Sequence, residues 1–118
     1  MQVPLQITFR QMDASPALDA RIRQRAEELE QFYDRITACH VTVEAQHRRH
    51  QQGNLFRVSV DLMVPGREIT VGRGKDVNHA HEDAHVAVRD AFDALRRRLE
   101  DYVRSPRGKM HIGPGELP

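Results

Sequence analysis

Apolar positions in the first third of the chain alternate at first and then recur every three or four residues. Between residues 3 and 9 every second residue is apolar, which is the period of a half-buried β-strand. Ser15 and Pro16 predict a helix start, because serine caps backbone amides and proline at the first helical position loses no hydrogen bond. An apolar stripe then predicts a helix to about Tyr33; its members are Leu18, Ile22, Ala26, Leu29 and Tyr33.

Three more strands and a second helix follow from the same kind of pattern. Alternation resumes near Ala38, stops before the polar turn at residues 48–54, and returns over residues 56–64. Pro65 and Gly66 predict a tight hairpin into a strand over residues 68–71. After a loop over residues 72–78, an apolar face predicts a long helix ending at about Arg104. Its members are Ala84, Val88, Ala91, Phe92, Leu95, Leu99, Tyr102 and Val103.

The order β-α-β-β-β-α predicts an α/β fold of the two-layer, α+β type. A crossover helix makes the first two strands parallel if they are neighbours, and short turns make the last three antiparallel. Because each strand has one apolar face, both helices should cover that face of a four-stranded mixed sheet. We expect one domain over residues 1–104 and a flexible tail over residues 105–118, which is rich in glycine and proline.

Length and composition argue against multidomain, membrane-spanning and disulfide-bonded proteins. The chain has 118 residues, 39% of them hydrophobic, which is enough for one domain. No apolar run approaches the roughly 20 residues that span a bilayer, and no secretory signal is visible, so we expect a cytoplasmic protein without a membrane partner. The one cysteine, Cys39, excludes an internal disulfide, and stability must come from packing.

The basic residues are nearly all arginine, although the formal net charge is only +1. Arginine suits bidentate phosphate contacts, but a codon bias explains the same ratio, so position matters more than number. On helical geometry, Arg21 and Arg25 share one flank of the first helix. On the second, Arg89 and Arg96 share one flank, Arg97 and Arg104 point outward, and Arg98 lies on the other flank.

Two interpretations of these arginines stay open. Cations in the last turns of a helix complement its dipole and solubilise its surface. Alternatively, they form a phosphate-binding stripe, which predicts that the basic flanks of the two helices lie side by side. The six aromatic residues fall mostly on core faces, so the sequence favours recognition of structured RNA by shape and phosphate contacts over base stacking.

A histidine cluster offers a hypothesis from another class of function. His79, His81 and His85 lie within seven residues, and His81-Glu82-Asp83-Ala84-His85 satisfies the HExxH pattern of zinc enzymes. On a formed helix, His81 and His85 project from one side. Solvated or capping histidines are the simpler interpretation, no third ligand is evident beyond His79 or the distant His47 and His50, and no other residues resemble an active site. We therefore predict no enzyme, no cofactor and no small-molecule substrate, with a zinc module on these histidines as the alternative.

Three segments resemble the bacterial ribosome hibernation promoting factor family. They are residues 15–18 (SPAL), residues 29–36 (LEQFYDRI) and residues 83–99, and the similarity covers about residues 1–104. The resemblance implies a β-α-β-β-β-α fold akin to double-stranded-RNA-binding domains. It also implies a partner, the small ribosomal subunit with its rRNA, whose mRNA and tRNA channel such proteins fill in stationary phase, silencing translation without catalysis.

The same resemblance assigns RNA-binding positions. Arg25 and Arg97 match basic positions of the family's helices, and Arg35 matches the arginine after the aromatic pair; Arg96, Arg98 and Arg104 extend this set on physical grounds only. Compared with the short members of this family, the chain has about seven extra residues before the second helix, at residues 75–81. We expect the tail to be too short for the dimerisation domain of the long members.

Overall fold

Four strands and two helices form the structure in the predicted order. The structure, a computed structural model, describes residues 4–47, 54–72 and 81–105. Its elements are β1 (Leu5–Arg10), α1 (Pro16–Phe32), β2 (Ala38–His47), β3 (Asn54–Val64), β4 (Arg67–Val71) and α2 (Ala84–Arg104). The predicted tail lies outside the described residues except for Ser105, so the boundary of the domain stays a prediction.

The sheet has the order β1-β2-β3-β4, with β1 parallel to β2 and the other pairs antiparallel. Its register places Leu5, Cys39, Leu62 and Ile69 in one row across all four strands. This row belongs to the face that forms the core. Because successive side chains point to opposite faces, the next row lies on the open face and is polar; it contains Gln6, His40, Asp61 and Thr70.

Both helices begin at side-chain caps that the sequence encodes. The Ser15 hydroxyl accepts a hydrogen bond from the Leu18 amide at 3.2 Å, as predicted for α1. The Asp83 carboxylate accepts from the His85 amide at 2.9 Å, so α2 begins at Ala84, several residues later than the pattern predicts. The helix starts later because the residues before it pair with the sheet. His81 exchanges two backbone hydrogen bonds with Phe56 of β3, at 2.7 and 2.8 Å.

The apolar stripes of both helices pack on the same face of the sheet and complete the two-layer fold. Ile22 of α1 and Leu95 and Leu99 of α2 are fully buried there together with the strand residues. The Tyr102 hydroxyl donates to the Pro65 carbonyl at 2.8 Å, which ties the end of α2 to the β3–β4 hairpin. The predicted fold class is confirmed. In the part of the chain that the structure describes, neither helix is long and apolar enough to cross a membrane.

We predict that two glycines with positive φ differ sharply in their tolerance of asparagine. Gly66 has φ 74° and Gly72 has φ 81°, a region that asparagine tolerates better than most residues. A Cβ on Gly72 would lie 2.2 Å from the Val58 carbonyl oxygen, so the backbone must move. In urea unfolding, Gly72→Asn should lower the free energy of unfolding by more than about 2 kcal/mol, and Gly66→Asn by about 1 kcal/mol or less. Equal losses would contradict a steric requirement at Gly72.

Candidate nucleic-acid interface

An ion pair joins the neighbouring flanks of the two helices. Arg25 of α1 donates from Nη2 to Oδ1 of Asp93 on α2 at 2.5 Å, and its Nη1 lies 3.7 Å from Oε1 of Glu28. Only 20% of the Arg25 side chain is exposed, whereas Asp93 is about half exposed. Arg25 therefore links the two helices while part of its side chain stays exposed between them.

Two aromatic contacts extend this interface toward the C-terminal ends of the helices. The guanidinium carbon of Arg96 lies 4.5 Å from the ring centroid of Phe32. The Tyr33 and Tyr102 rings meet edge to face, with centroids 5.9 Å apart and an interplanar angle of 85°. The residue numbers of the contact partners rise together along both helices, so α1 and α2 run parallel.

These contacts place the basic flanks side by side. We call Arg21, Arg25, Arg89 and Arg96 the interhelical strip. Arg21 lies one helical turn before Arg25, and its Nη1 donates to Oε1 of Gln24 at 3.1 Å. Arg89 lies one turn before Asp93, the partner of Arg25. The basic flanks of the two helices are therefore neighbours, as the phosphate-binding interpretation predicts, and binding of a phosphate there stays a prediction.

Carboxylates accompany the arginines of the interhelical strip. Glu28 and Asp93 lie beside Arg25, Asp90 lies 3.2 Å from Arg89, and Glu100 lies 3.4 Å from Arg96. The strip is therefore close to neutral in charge, in keeping with the net charge of +1 for the whole chain. A phosphate that binds there competes with these carboxylates for the guanidinium groups.

The other four predicted arginines lie outside the strip. Arg97 is exposed on the outward face of α2 and has no ion-pair partner among the described residues. Arg35 follows α1, and Arg104 lies in the last turn of α2, 4.0 Å from Glu100, so both belong to the C-terminal end of the helix pair. Arg98 lies on the opposite flank and donates to the Thr70 carbonyl of β4. Contact of any of these residues with RNA stays a prediction.

The exposed position of Phe32 is a feature that the sequence analysis missed. The aromatic residues were expected mostly on core faces, yet Phe32 is 38% exposed. Tyr33 takes the core position of the α1 stripe, and Phe32, about 100° away around the helix, falls on its exposed flank. The sequence already indicated this, because the apolar stripe steps four residues from Leu29 to Tyr33 and so places Tyr33, and not Phe32, on the core face.

The histidines do not have the geometry that the zinc hypothesis needs. His81 precedes α2, and its Nδ1 accepts a hydrogen bond from the Asp83 amide at 2.9 Å. The prediction that His81 and His85 project from one side of a formed helix is therefore wrong, because Asp83 caps the helix after His81. His79 lies outside the described residues. Within residues 4–47, 54–72 and 81–105, no cluster of three or more histidine, cysteine, aspartate or glutamate side chains could hold a metal ion.

The one cysteine is placed for packing and not for nucleophilic chemistry. Cys39 is buried in the core, and burial, followed by the charge of Asp61, raises the pKa of its thiol to about 12. The thiolate, which is the reactive form, is therefore strongly disfavoured near neutral pH.

Comparison with known proteins gives one family and one fold. Residues 5–106 match the family model described as Sigma 54 modulation protein / S30EA ribosomal protein. A search of curated proteins gives no match. A ribosomal subunit interface protein from Coxiella burnetii is similar in structure, with a TM-score of 0.68, 18% identity, and coverage of 87% of this chain and 100% of that one. The N-terminal domain of Protein Y from Thermus thermophilus has a TM-score of 0.62 at 15% identity, covering 86% of this chain and 99% of that one.

We predict that Arg25 and Asp93 are energetically coupled across the two helices. In a double-mutant cycle of Arg25→Ala and Asp93→Ala, the coupling in the free energy of unfolding should be about 0.5–1 kcal/mol, the upper range for partly exposed pairs. The matched control is Arg23 and Asp19, 2.6 Å apart within α1, for which we expect about 0.3 kcal/mol. A coupling no larger than this control would show that the pair does not hold the helices together.

Proposed function

We propose that this chain, which belongs to the Sigma 54 modulation protein / S30EA ribosomal protein family, is a ribosome-associated inhibitor of translation. The family match over residues 5–106 carries the proposal, and it confirms the resemblance drawn from the sequence. Its fold is that of a protein described as a ribosomal subunit interface protein. The partner that we propose is the small ribosomal subunit with its rRNA, bound in the channel that mRNA and tRNA use.

The arrangement of the helices supports a mechanism without a chemical step. Arginines from both helices face one groove, and a phosphate can replace the carboxylates that hold them, because guanidinium binds both groups in the same bidentate manner. Arg97, Arg35 and Arg104 add cations around the end of this surface. The α/β body then occupies the channel, so inhibition is steric.

The setting of this activity is part of the same proposal. An occupied channel keeps idle ribosomes inactive and intact, which suits stress or stationary phase, and the ribosomal partner implies action in the cytoplasm. The mechanism needs no cofactor. We do not propose a zinc enzyme or zinc module, because the structure places His81 before the helix on which that hypothesis depends.

Charge reversal at Arg97 should weaken ribosome binding far more than charge reversal at Arg23. Both arginines are exposed, but Arg23 lies on the flank of α1 away from α2 and pairs with Asp19. In sedimentation with isolated small and large subunits, the unmodified chain should pellet with small subunits. Arg97→Glu should raise the dissociation constant tenfold or more, on the order of 1.4 kcal/mol, while Arg23→Glu should leave it within about twofold.

Two results would contradict this prediction. If both substitutions weaken binding equally, the surface that we assign is wrong. If the unmodified chain pellets with neither subunit at low salt, the proposed partner is wrong.

The affinity should also fall steeply as salt increases. Each phosphate contact adds about 0.7–0.9 to the slope of log affinity against log salt, so four contacts predict a slope of about −3. Arg97→Ala should reduce this slope by about one, whereas Arg23→Ala should leave it unchanged. The measurement is binding to small subunits across a salt series, and an affinity that does not respond to salt would exclude phosphate recognition.

A further inference from the structure

Phe32 and Arg96 form an exposed pair of an aromatic ring and a guanidinium group at the interhelical strip. Phe32 is one of two large hydrophobic residues exposed in the described part of the chain, the other being Met63. The Phe32 ring also has a cation–π contact, because the guanidinium carbon of Arg96 lies 4.5 Å from its centroid. The Arg96 side chain is still 48% exposed, so the pair remains open to a ligand.

The contacts around Arg96 hold its guanidinium in place before any ligand arrives. The ring of Phe32 attracts the cation electrostatically, and Glu100 Oε2 lies 3.4 Å from Arg96 Nε. Arginine side chains carry about 2 kcal/mol of rotamer entropy. A guanidinium that is already oriented loses less of this freedom when a further group binds to it.

The surroundings of the pair combine cations with a small recess. Arg25 and Arg96 line a cavity of about 150 Å³ between the helices, together with Leu29, Phe92 and the carboxylates of Glu28 and Asp93, which a phosphate would have to displace from Arg25. Phosphates of a bound strand would therefore meet cations next to the place where a base could meet a flat surface. Unpaired bases in RNA loops and bulges are recognised in this way, by stacking on aromatic rings or on guanidinium planes.

We infer that Phe32 and Arg96 form a stacking site for one unpaired nucleobase of the RNA that the interhelical strip contacts. This inference rests on the proposed function and deepens it, because it adds a base contact to a surface otherwise built for phosphates. It also differs from the expectation drawn from composition, in which stacking played no main part. The ligand is identified by its flat π face next to a phosphate, which a duplex does not expose.

The test compares variants that separate the flat surface from the charge. Phe32→Leu keeps an apolar side chain without a ring, and Arg96→Lys keeps the charge without a plane. Each should weaken binding to small subunits by about 5- to 30-fold, the lower part of the range for loss of one stacked base. Phe32→Tyr should bind like the unmodified chain. The matched control is Met63→Ala, which removes an exposed apolar side chain elsewhere and should bind normally.

Two further readouts separate base stacking from a purely electrostatic contact and from a contact with ribosomal protein. The salt slope of Phe32→Leu should equal that of the unmodified chain, because no charge is removed. Ultraviolet cross-linking of the bound complex should attach RNA to the tryptic peptide over residues 26–35, and Phe32→Leu should abolish this product. Thermal unfolding of each variant checks that the fold is kept, and Arg96→Lys together with the RNA cross-link of the unmodified chain decides the matter if Phe32→Leu is unstable.

The outcomes distinguish this inference from the proposed function. If the unmodified chain binds small subunits and Phe32→Leu and Arg96→Lys bind equally well, the stacking site is wrong and the proposed function stands. If the peptide cross-links to a ribosomal protein instead of RNA, the site takes a different ligand and the inference is also overturned. If the unmodified chain does not bind small subunits at low salt, the proposed function itself fails.

Discussion

The parallel packing of two helices on one face of the sheet determines which side chains this protein can present together. The crossover from β1 to the parallel strand β2 sets the direction of α1, and the return from β4 sets that of α2. Because the helices are parallel, each turn of one lies beside a corresponding turn of the other. Arg25 meets Asp93 and Tyr33 meets Tyr102 for this reason. The groove between the helices follows from the topology as much as from any single residue.

Those parts of the fold that depend on burial were predictable from the sequence. The alternation over residues 56–64 identifies β3 because a strand with one covered face must alternate, and the stripe from Leu18 to Leu29 identifies α1 for the same reason. The start of α2 has a local signal, the capping Asp83 directly before the apolar face begins at Ala84, which the prediction of an earlier start passed over. The two hydrogen bonds between His81 and Phe56 that precede it join residues that a local pattern cannot connect.

For the candidate site, helical geometry predicted the flanks but not the neighbours. The positions of Arg21, Arg25, Arg89 and Arg96 around their helices follow from a rotation of about 100° per residue. The pairing of Arg25 with Asp93 joins positions 68 residues apart, and only the packing of the helices reveals it. Phe32 was placed with the core residues, although it lies about 100° around α1 from the stripe to which the buried Tyr33 belongs.

In the proposed contact with RNA, the carboxylates of the interhelical strip favour selectivity over general affinity. A strip of unpaired arginines would attract any polyanion, since the phosphate backbone dominates the affinity of nucleic acids for basic surfaces. Here Asp93 and Glu100 already contact the guanidinium groups of Arg25 and Arg96. A phosphate that displaces a carboxylate therefore gains only the difference in free energy between two similar contacts. Such a surface binds well only where many contacts form at once, which requires a partner that matches the shape of the groove. For the RNA partner that we propose, the near-neutral charge of the strip therefore favours one structured site over RNA in general.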